Sequence, residues 1–305
     1  MTERYIDYVS RIRRYSAETC ETYRRILDEY SEFVSELPEA DRFSVTTVRN
    51  YEVYLLRERC LSARSVSLHL SVLSGYCRFL MREGVLQANP VHLVTRPRQE
   101  KRLPEFYRRE SLESYFSTHR GVLEFGSYEQ KLQYMTISLL YGCGIRRSEL
   151  ISLDVNSVDL SRRVLRVRGK GDKMREIPLT PTVCQEISLY LQSADSKFGS
   201  ADADGTPLLR TASGARLYPV LVDRFVKHEL EGVEGITGRR SPHVLRHTLA
   251  TELLGDGTDL NSIKELLGHS SLAATQVYTH NSVERLKTVY NQAHPRAKKN
   301  VENGD

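Results

Sequence analysis

Between Ser241 and His280 the chain reads SPHVLRHTLATELLGDGTDLNSIKELLGHSSLAATQVYTH, which gathers His243, Arg246, His269 and Tyr278 into one short helical region. Two imidazoles, a guanidinium and a phenol at these spacings suit attack by a phenol on a phosphodiester whose negative charge must be held. Arg146 in YGCGIRRSEL and Lys170 in VRGKGDK lie upstream and are candidates to complete the set. A phosphodiester repels nucleophiles, so positive charge has to meet it first and has to meet the transition state better still. Arginine suits that task because its planar fork offers paired N–H groups to two oxygens, as lysine cannot. A free phenol has a pKa near ~10 and needs help losing its proton. His243 is the better candidate for general base, His269 for a hydrogen-bond donor to the phosphate, and Lys170 for the acid that protonates the leaving oxygen. The residues alone leave the division of acid and base work among Lys170, His243 and His269 open. Together they imply an enzyme that cuts and joins DNA.

Each residue taken singly has a plainer explanation. An HxxR pair is common on helix surfaces, and a tyrosine at helical spacing from Leu272 and Thr275 is more often a core or rim residue. A lysine in a hairpin turn is ordinarily solvated. Arg146 can pair with Glu149 three residues on. Their occurrence together, in this order and with these neighbours, is what the plainer explanations do not account for.

The elements that position them are legible from periodicity and caps. Ser241-Pro242 starts a helix, with the serine as cap and proline in the first turn, so His243 and Arg246 share a face. A second helix runs from about Leu260 to Leu267 and stops at Gly268, which can adopt a left-handed conformation and expose His269. Ser271 caps a third, with Tyr278 about two turns in. Upstream, helices are expected over Ser111 to Ser117 and Glu129 to Tyr141, followed by a break at Gly142/Gly144. Strands are expected over Leu153 to Leu160, Val164 to Val167 and Arg175 to Leu179, with GKGDK as the hairpin turn between the last two. The remainder reads as helical. This makes a mainly α domain with a small antiparallel sheet (α+β) over residues 106–305.

Residues 1–95 show helical periodicity throughout. A short helix over Tyr5 to Ile12 is followed by helices capped by Ser16, Ser44 and Ser62. Thr19, Tyr23, Ile26, Leu27, Tyr30 and Phe33 face inward on the second, and Val48, Tyr51 and Leu55 on the third. Val66, Leu70, Leu73, Tyr76 and Leu80 do so on the fourth, which ends at Gly84. Every cation in this four-helix domain is an arginine, balanced by as many acids, so a DNA-facing side must come from charges segregated to different faces. Residues 96–105 form a basic, proline-containing linker within RPRQEKRLPEFYRR, long enough for two domains to close on a duplex from opposite sides.

At 305 residues the chain has room for two domains. Its net charge of +5 permits a polyanionic partner without demanding one. The five cysteines are scattered, without CxxC or Cys/His spacing, which argues against zinc and for a reducing compartment. The N-terminus carries charge where a signal peptide needs an apolar run, and the longest apolar stretch, MTISLLYGCGI, is too short to span a bilayer. A cytoplasmic protein without membrane insertion is expected. No carboxylate cluster suited to two-metal catalysis accompanies the six residues and no Walker loop occurs, so neither a metal nor another cofactor is expected.

LLYGCGIRRSELISL, VRGKGDKMREIPL, SPHVLRHTLAT and IKELLGHSSLAATQVYTH resemble the tyrosine recombinase (phage integrase) family, and the resemblance extends over nearly the whole chain. It implies Tyr278 as nucleophile, linked in the intermediate to a DNA 3′-phosphate. It further implies Arg146 and Arg246 as phosphate-binding arginines, Lys170 as catalytic lysine and His243 and His269 as the two histidines. Glu149 matches the supporting acid behind the first arginine. Met174 departs from the glutamate common in related hairpins, off the catalytic set. The linker and the ending SVERLKTVYNQAHPRAKK are most similar to the Xer subgroup. Membership there implies a SAM-like N-terminal DNA-binding domain and action on a double-stranded recombination site in a homo- or hetero-tetramer with a second recombinase. Chromosome dimer resolution, with a DNA translocase as a further partner, is the role that follows. A mobile-element integrase or DNA invertase is the alternative within the same chemistry. A type IB topoisomerase and a catalytically silent DNA-binding protein are the readings outside it. The apolar stripe of Val283, Leu286, Val289 and Tyr290 suits a tail helix docked either on its own domain or on a neighbouring protomer.

Overall fold

The computed structural model describes residues 1–98, 105–169, 173–199, 205–268 and 296. The chain divides into two compact units, Met1–Arg102 and Leu103–Asp305. Their hydrophobic cores share no residue.

The first unit is built from four helices, α1 (Thr2–Arg11), α2 (Ala17–Phe33), α3 (Val45–Arg57) and α4 (Ala63–Arg82). Ser16, Ser44 and Ser62 each accept a hydrogen bond from the backbone N–H three residues on, satisfying one orphan donor at the start of α2, α3 and α4. The inward positions expected of α3 and α4 are all buried. On α2, Thr19, Tyr23 and Phe33 sit at the rim of the core and Ile26, Leu27 and Tyr30 within it. Aromatic rings fill much of this core, with Tyr5 against Tyr76 and Phe79, and Tyr51 against Tyr30 and Phe33. Helices α1 and α4 meet at Gly75, where a Cβ would lie 2.5 Å from the Tyr5 hydroxyl. Buried Tyr51 and His69 satisfy each other at 3.0 Å, so neither polar group is stranded. Beyond α4 the chain turns at Gly84, and Asn89 caps a short 3-10 turn over Pro90–Leu93.

The second unit surrounds α7 (Tyr128–Gly142), which follows α5 (Arg109–Thr118) and the single-turn α6 (Val122–Phe125). A reciprocal capping box between Ser127 and Gln130 starts α7. Its residues from Met135 to Gly142 are buried on every side, as a helix with no polar face must be. The turn after α7 leads into α8 (Arg147–Ser152) and a three-stranded antiparallel sheet, β1 (Val158–Asp159), β2 (Val164–Arg168) and β3 (Met174–Pro178), in that order. Helices α9 (Pro181–Phe198), α10 (Pro219–Glu229), α11 (Pro242–Gly255) and α12 (Leu260–Leu267) follow among the described residues. The expected mainly α architecture with a small antiparallel sheet is what forms.

Two local expectations give way. The strand expected over Leu153 to Leu160 shrinks to Val158–Asp159, preceded by a 3-10 turn over Val155–Ser157. The backbone of 153–155 is taken by another segment: Leu208 donates to the Leu153 carbonyl and Val155 to that of Thr206. Arg216 adds bonds to the Leu153 carbonyl and the Asp154 carboxylate. With these groups satisfied elsewhere, pairing with β2 begins only at Val158. Ser241 does occupy the cap position of α11, but its side chain makes no capping bond. Its own N–H instead donates to the Tyr107 hydroxyl at 3.3 Å.

Cys20, Cys77 and Cys143 are buried, Cys184 half-buried and Cys60 exposed, all as free thiols. No helix among the described residues is long and apolar enough to cross a membrane. Separate cores predict separate folding. Fragments 1–98 and 105–305 should each unfold as a single cooperative transition in urea followed by far-UV circular dichroism. A fragment that stays unfolded alone would show that its core depends on the other unit.

Candidate active site

The site is assembled where the turn after α7, strand β3 and the carbonyl end of α12 converge. Gly144 makes the turn possible. Its φ is +59°, and a Cβ there would sit 2.8 Å from both Leu249 and Leu267, so the backbone can approach α11 and α12 only without a side chain. Arg146 follows as the N-cap residue of α8. Its backbone N–H donates to Glu149 Oε2 at 2.8 Å and its Nη1 to Oε1 at 2.7 Å. Its Nη2 reaches the Gly268 carbonyl at 3.0 Å. The pairing with Glu149 that spacing allowed is therefore real, and it orients the arginine.

Arg246 sits on the buried face of α11, one turn past Pro242, and donates to the carbonyls of Gly144 and Leu267. Burial, and then the like charge of Arg146, lower its pKa to about 10, which still leaves it cationic at neutral pH. Arg175, on β3, contributes a third guanidinium that the sequence reading passed over. It grips Glu149 with two parallel bonds of 2.9 and 2.8 Å, while its Nε donates to the Leu266 carbonyl at 3.1 Å. Its signal was present in MREIPL: alternation puts Arg175 on the same face as Ile177, and both are buried. An arginine at a core-facing strand position needs a buried partner, and Glu149 is that partner.

Three consecutive carbonyls at the end of α12, those of Leu266, Leu267 and Gly268, thus receive three arginines in turn. These are groups a helix cannot satisfy internally, and they carry the negative end of its dipole. Gly268 ends the helix in the left-handed conformation foreseen for it, with φ +63°. It is also pressed on the Arg175 guanidinium, whose Cζ lies 3.1 Å from where a Cβ would be. Burial tends to raise the Glu149 carboxyl, but the bonds and charge of Arg175, with those of Arg146, more than reverse this and bring it to about 2. It is a permanent anion near neutrality.

His243 projects from the exposed side of the first turn of α11, with His247 one turn on. Partial burial, then the nearby His247 and Arg246, push its imidazole below the usual range. It is therefore neutral at pH 7 and able to accept a proton. Tyr141, another tyrosine of this region, is buried and donates to Glu252 Oε2 at 2.6 Å. Burial and the Glu252 charge hold its hydroxyl well above the ordinary range. Lys170, His269 and Tyr278 lie outside the described residues. The hairpin that carries Lys170 is described up to its shoulders, where the Gly169 N–H donates to the Lys173 carbonyl at 2.8 Å. Of the tail over 282–299, only Arg296 is described, and it is seated in its own unit: it bonds Ser138 at 2.9 Å, pairs with Glu186 and covers the Phe116 ring at 3.8 Å.

The phage integrase family matches residues 122–285, and its N-terminal SAM-like domain matches residues 2–84. The chain is 36% identical to the tyrosine recombinase XerC of Bacillus pumilus, covering 96% of this chain and 95% of that protein. It is 32% identical to the tyrosine recombinase XerC of Chlorobaculum parvum, over 97% of this chain and 94% of its relative. Among solved structures, the Tn1549 transposon integrase in complex with transposon right-end DNA superposes with a TM-score of 0.71 at 18% identity, covering 93% and 97% of the two chains. The XerH site-specific recombinase bound to its difH substrate does so at 0.66 and 18%, covering 94% and 82%. These two likenesses are of fold. The chain belongs to the phage integrase family, the tyrosine recombinases that cleave and rejoin DNA, and within it to the Xer-type site-specific recombinases.

The site predicts one titration directly. His243, followed by its ring carbon-bound protons in NMR, should titrate with a midpoint below 6.5, because partial burial, and then the neighbouring His247 and Arg246, disfavour the protonated ring. A midpoint above 7 would overturn that account of its surroundings.

Proposed function

We propose that this recombinase cuts each DNA strand with Tyr278 and stores the broken bond as a 3′-phosphotyrosyl ester. The phenol oxygen attacks phosphorus as its proton passes to a base, for which neutral His243 is suited. The bond from phosphorus to the 5′-oxygen breaks, and Lys170 protonates the departing oxygen, with His269 donating a hydrogen bond to the phosphate. Attack by another strand's 5′-hydroxyl reverses these steps, and because the ester conserves the bond no ATP is needed. The observation that carries this reading is the pair Arg146 and Arg246, two guanidiniums brought together around Glu149 and still cationic. Charge on phosphorus oxygens grows in the pentacoordinate transition state, so donors already in place stabilise it more than the ground state.

In this reading the helical unit, 1–95, is the core DNA-binding domain, 96–105 the linker and 106–305 the catalytic domain. The substrate is a double-stranded recombination site, held by four protomers, with a second Xer-type recombinase as partner. Chromosome dimer resolution in the cytoplasm, driven by a DNA translocase, is the role we assign. Its support is the resemblance over nearly the whole chain to proteins named XerC.

Tyr278→Phe removes one hydroxyl, so it should bind DNA as wild type does yet give no covalent adduct with a nicked suicide substrate on a denaturing gel. Undiminished adduct would move the nucleophile elsewhere, Tyr290 being the next to test. Arg146→Lys and Arg246→Lys retain charge but lose the planar fork. Cleavage should fall by roughly 10²-fold or more, the scale of losing an oxyanion donor. Binding should change far less, because many other phosphate contacts hold a duplex. Single-turnover cleavage within a few-fold of wild type in both variants would contradict the assignment.

A further inference from the structure

We infer that Arg175 is a positioning residue for DNA cleavage: by clasping Glu149 it leaves the charges of Arg146 and Arg246 available to the scissile phosphate. The inference rests on the reading of those two arginines given above and assigns the third guanidinium its task.

Glu149 is needed to orient Arg146, which it holds through both backbone and side chain. A carboxylate in that position has a cost, because it neutralises the arginine it orients and lies 4.0 Å from Arg246 as well. Arg175 removes the conflict. Its parallel bonds engage both carboxylate oxygens, the strongest geometry available to that pair. Arg175 and Glu149 are 5% and 4% exposed, so solvent does little to weaken the interaction. Three guanidiniums around one carboxylate leave two positive charges in excess. A phosphodiester in flight to its pentacoordinate transition state approaches two negative charges, so the excess matches the state that must be stabilised. Without Arg175 only one would remain.

The placement of Arg175 serves the same end. Its Nε holds the Leu266 carbonyl, and Gly268 packs against its guanidinium. A Cβ on Gly169 would lie 3.2 Å from its Nη1. Arg175 therefore touches the base of the hairpin that carries Lys170 and the helix end that precedes His269. Among the described residues its three nitrogens are taken up by Glu149 and the Leu266 carbonyl, which makes it a positioning residue and not a catalytic one.

The test is a charge-matched cycle of Arg175→Met, Glu149→Gln and the double variant, with Arg175→Lys as the conservative control. Two readouts apply: adduct formation on a suicide substrate, and the rise in Tm produced by inorganic sulfate, which needs no chemistry on DNA. Arg175→Met should slow adduct formation roughly 10–100-fold, and should reduce the sulfate-induced rise, while duplex binding changes only a few-fold. The double variant should recover at least tenfold in adduct formation over Arg175→Met, with the sulfate effect restored. Arg175→Lys should fall between wild type and Arg175→Met. A purely structural role makes the opposite forecast, since the double variant loses more contacts than either single one. Arg175→Met at wild-type rate, or a double variant no better than it in either readout, overturns the inference. Should Arg175→Met not fold, Arg175→Lys against Arg175→Lys with Glu149→Gln carries the same comparison. A wild-type protein that never forms adduct, with the sulfate pattern intact, would count against the cleavage reading and leave the charge arrangement standing.

Discussion

The Glu149 carboxylate is the interaction on which the rest of the site depends. A buried anion is stable only when paired and hydrogen-bonded, and removal of one partner is costly because it strands the other. Here the partners come from two directions, Arg146 at the start of α8 and Arg175 on β3, so one carboxylate fastens the turn after α7 to the sheet. The depressed pKa has a definite sign for stability. Glu149 is ionised in the folded protein down to about 2, against an ordinary 4.5, so its contribution is complete above that ordinary value and is lost as pH falls toward about 2. Near neutrality the arrangement is insensitive to pH. Glu252 on α11 behaves in the opposite way. Burial raises it to about 7, so ionisation there disfavours the folded state as pH climbs from 4.5 through 7.

The second constraint is geometric. Carbonyls at a helix C-terminus need donors from outside the helix, and α12 ends against three arginines instead of water. Each arginine therefore has two kinds of partner, an α12-end carbonyl and a group on another element of the same unit, and the fork of the guanidinium is what allows both. Arg246 bridges Gly144 and Leu267, and Arg146 bridges Glu149 and Gly268. Lysine at these positions keeps the charge but lacks the planar fork with its separated nitrogens, so charge and geometry are separable properties of the site. The same crowding explains two glycines. Gly144 and Gly268 both have positive φ, and both lie where a Cβ would strike a neighbour.

Much of this was legible in the sequence because it is local. Serine caps, the left-handed Gly268, the four helices of the first unit and the antiparallel strands β2 and β3 follow from periodicity and turn chemistry within a few residues. The resemblance to the recombinase family supplied the residue roles that spacing left open. What escaped depends on distant partners. The strand expected at Leu153 to Leu160 was lost to Thr206, Leu208 and Arg216, more than fifty residues away in sequence. Ser241 holds the cap position without a side-chain capping bond, and its backbone N–H is held by Tyr107, far off in sequence. Arg175 was overlooked because a charged residue between Met174 and Glu176 reads as an ordinary exposed strand position until alternation is traced from Ile177 and Glu149 is known to wait opposite.

Arg296 extends the argument to the tail. Its guanidinium is removed from solvent against Glu186, a carboxylate that also accepts from Tyr134 and Ser138. Phe116 covers one face of the charge, and the Thr182 hydroxyl donates to the Arg296 carbonyl at 3.4 Å. Departure of Arg296 would leave buried Glu186 without its ion-pair partner, a penalty on the order of 3–5 kcal/mol for breaking such a pair from one side. Docking of this segment on its own unit and docking on a neighbour are therefore not equivalent choices for a lone chain. Within one protomer the seat is filled without cost of association.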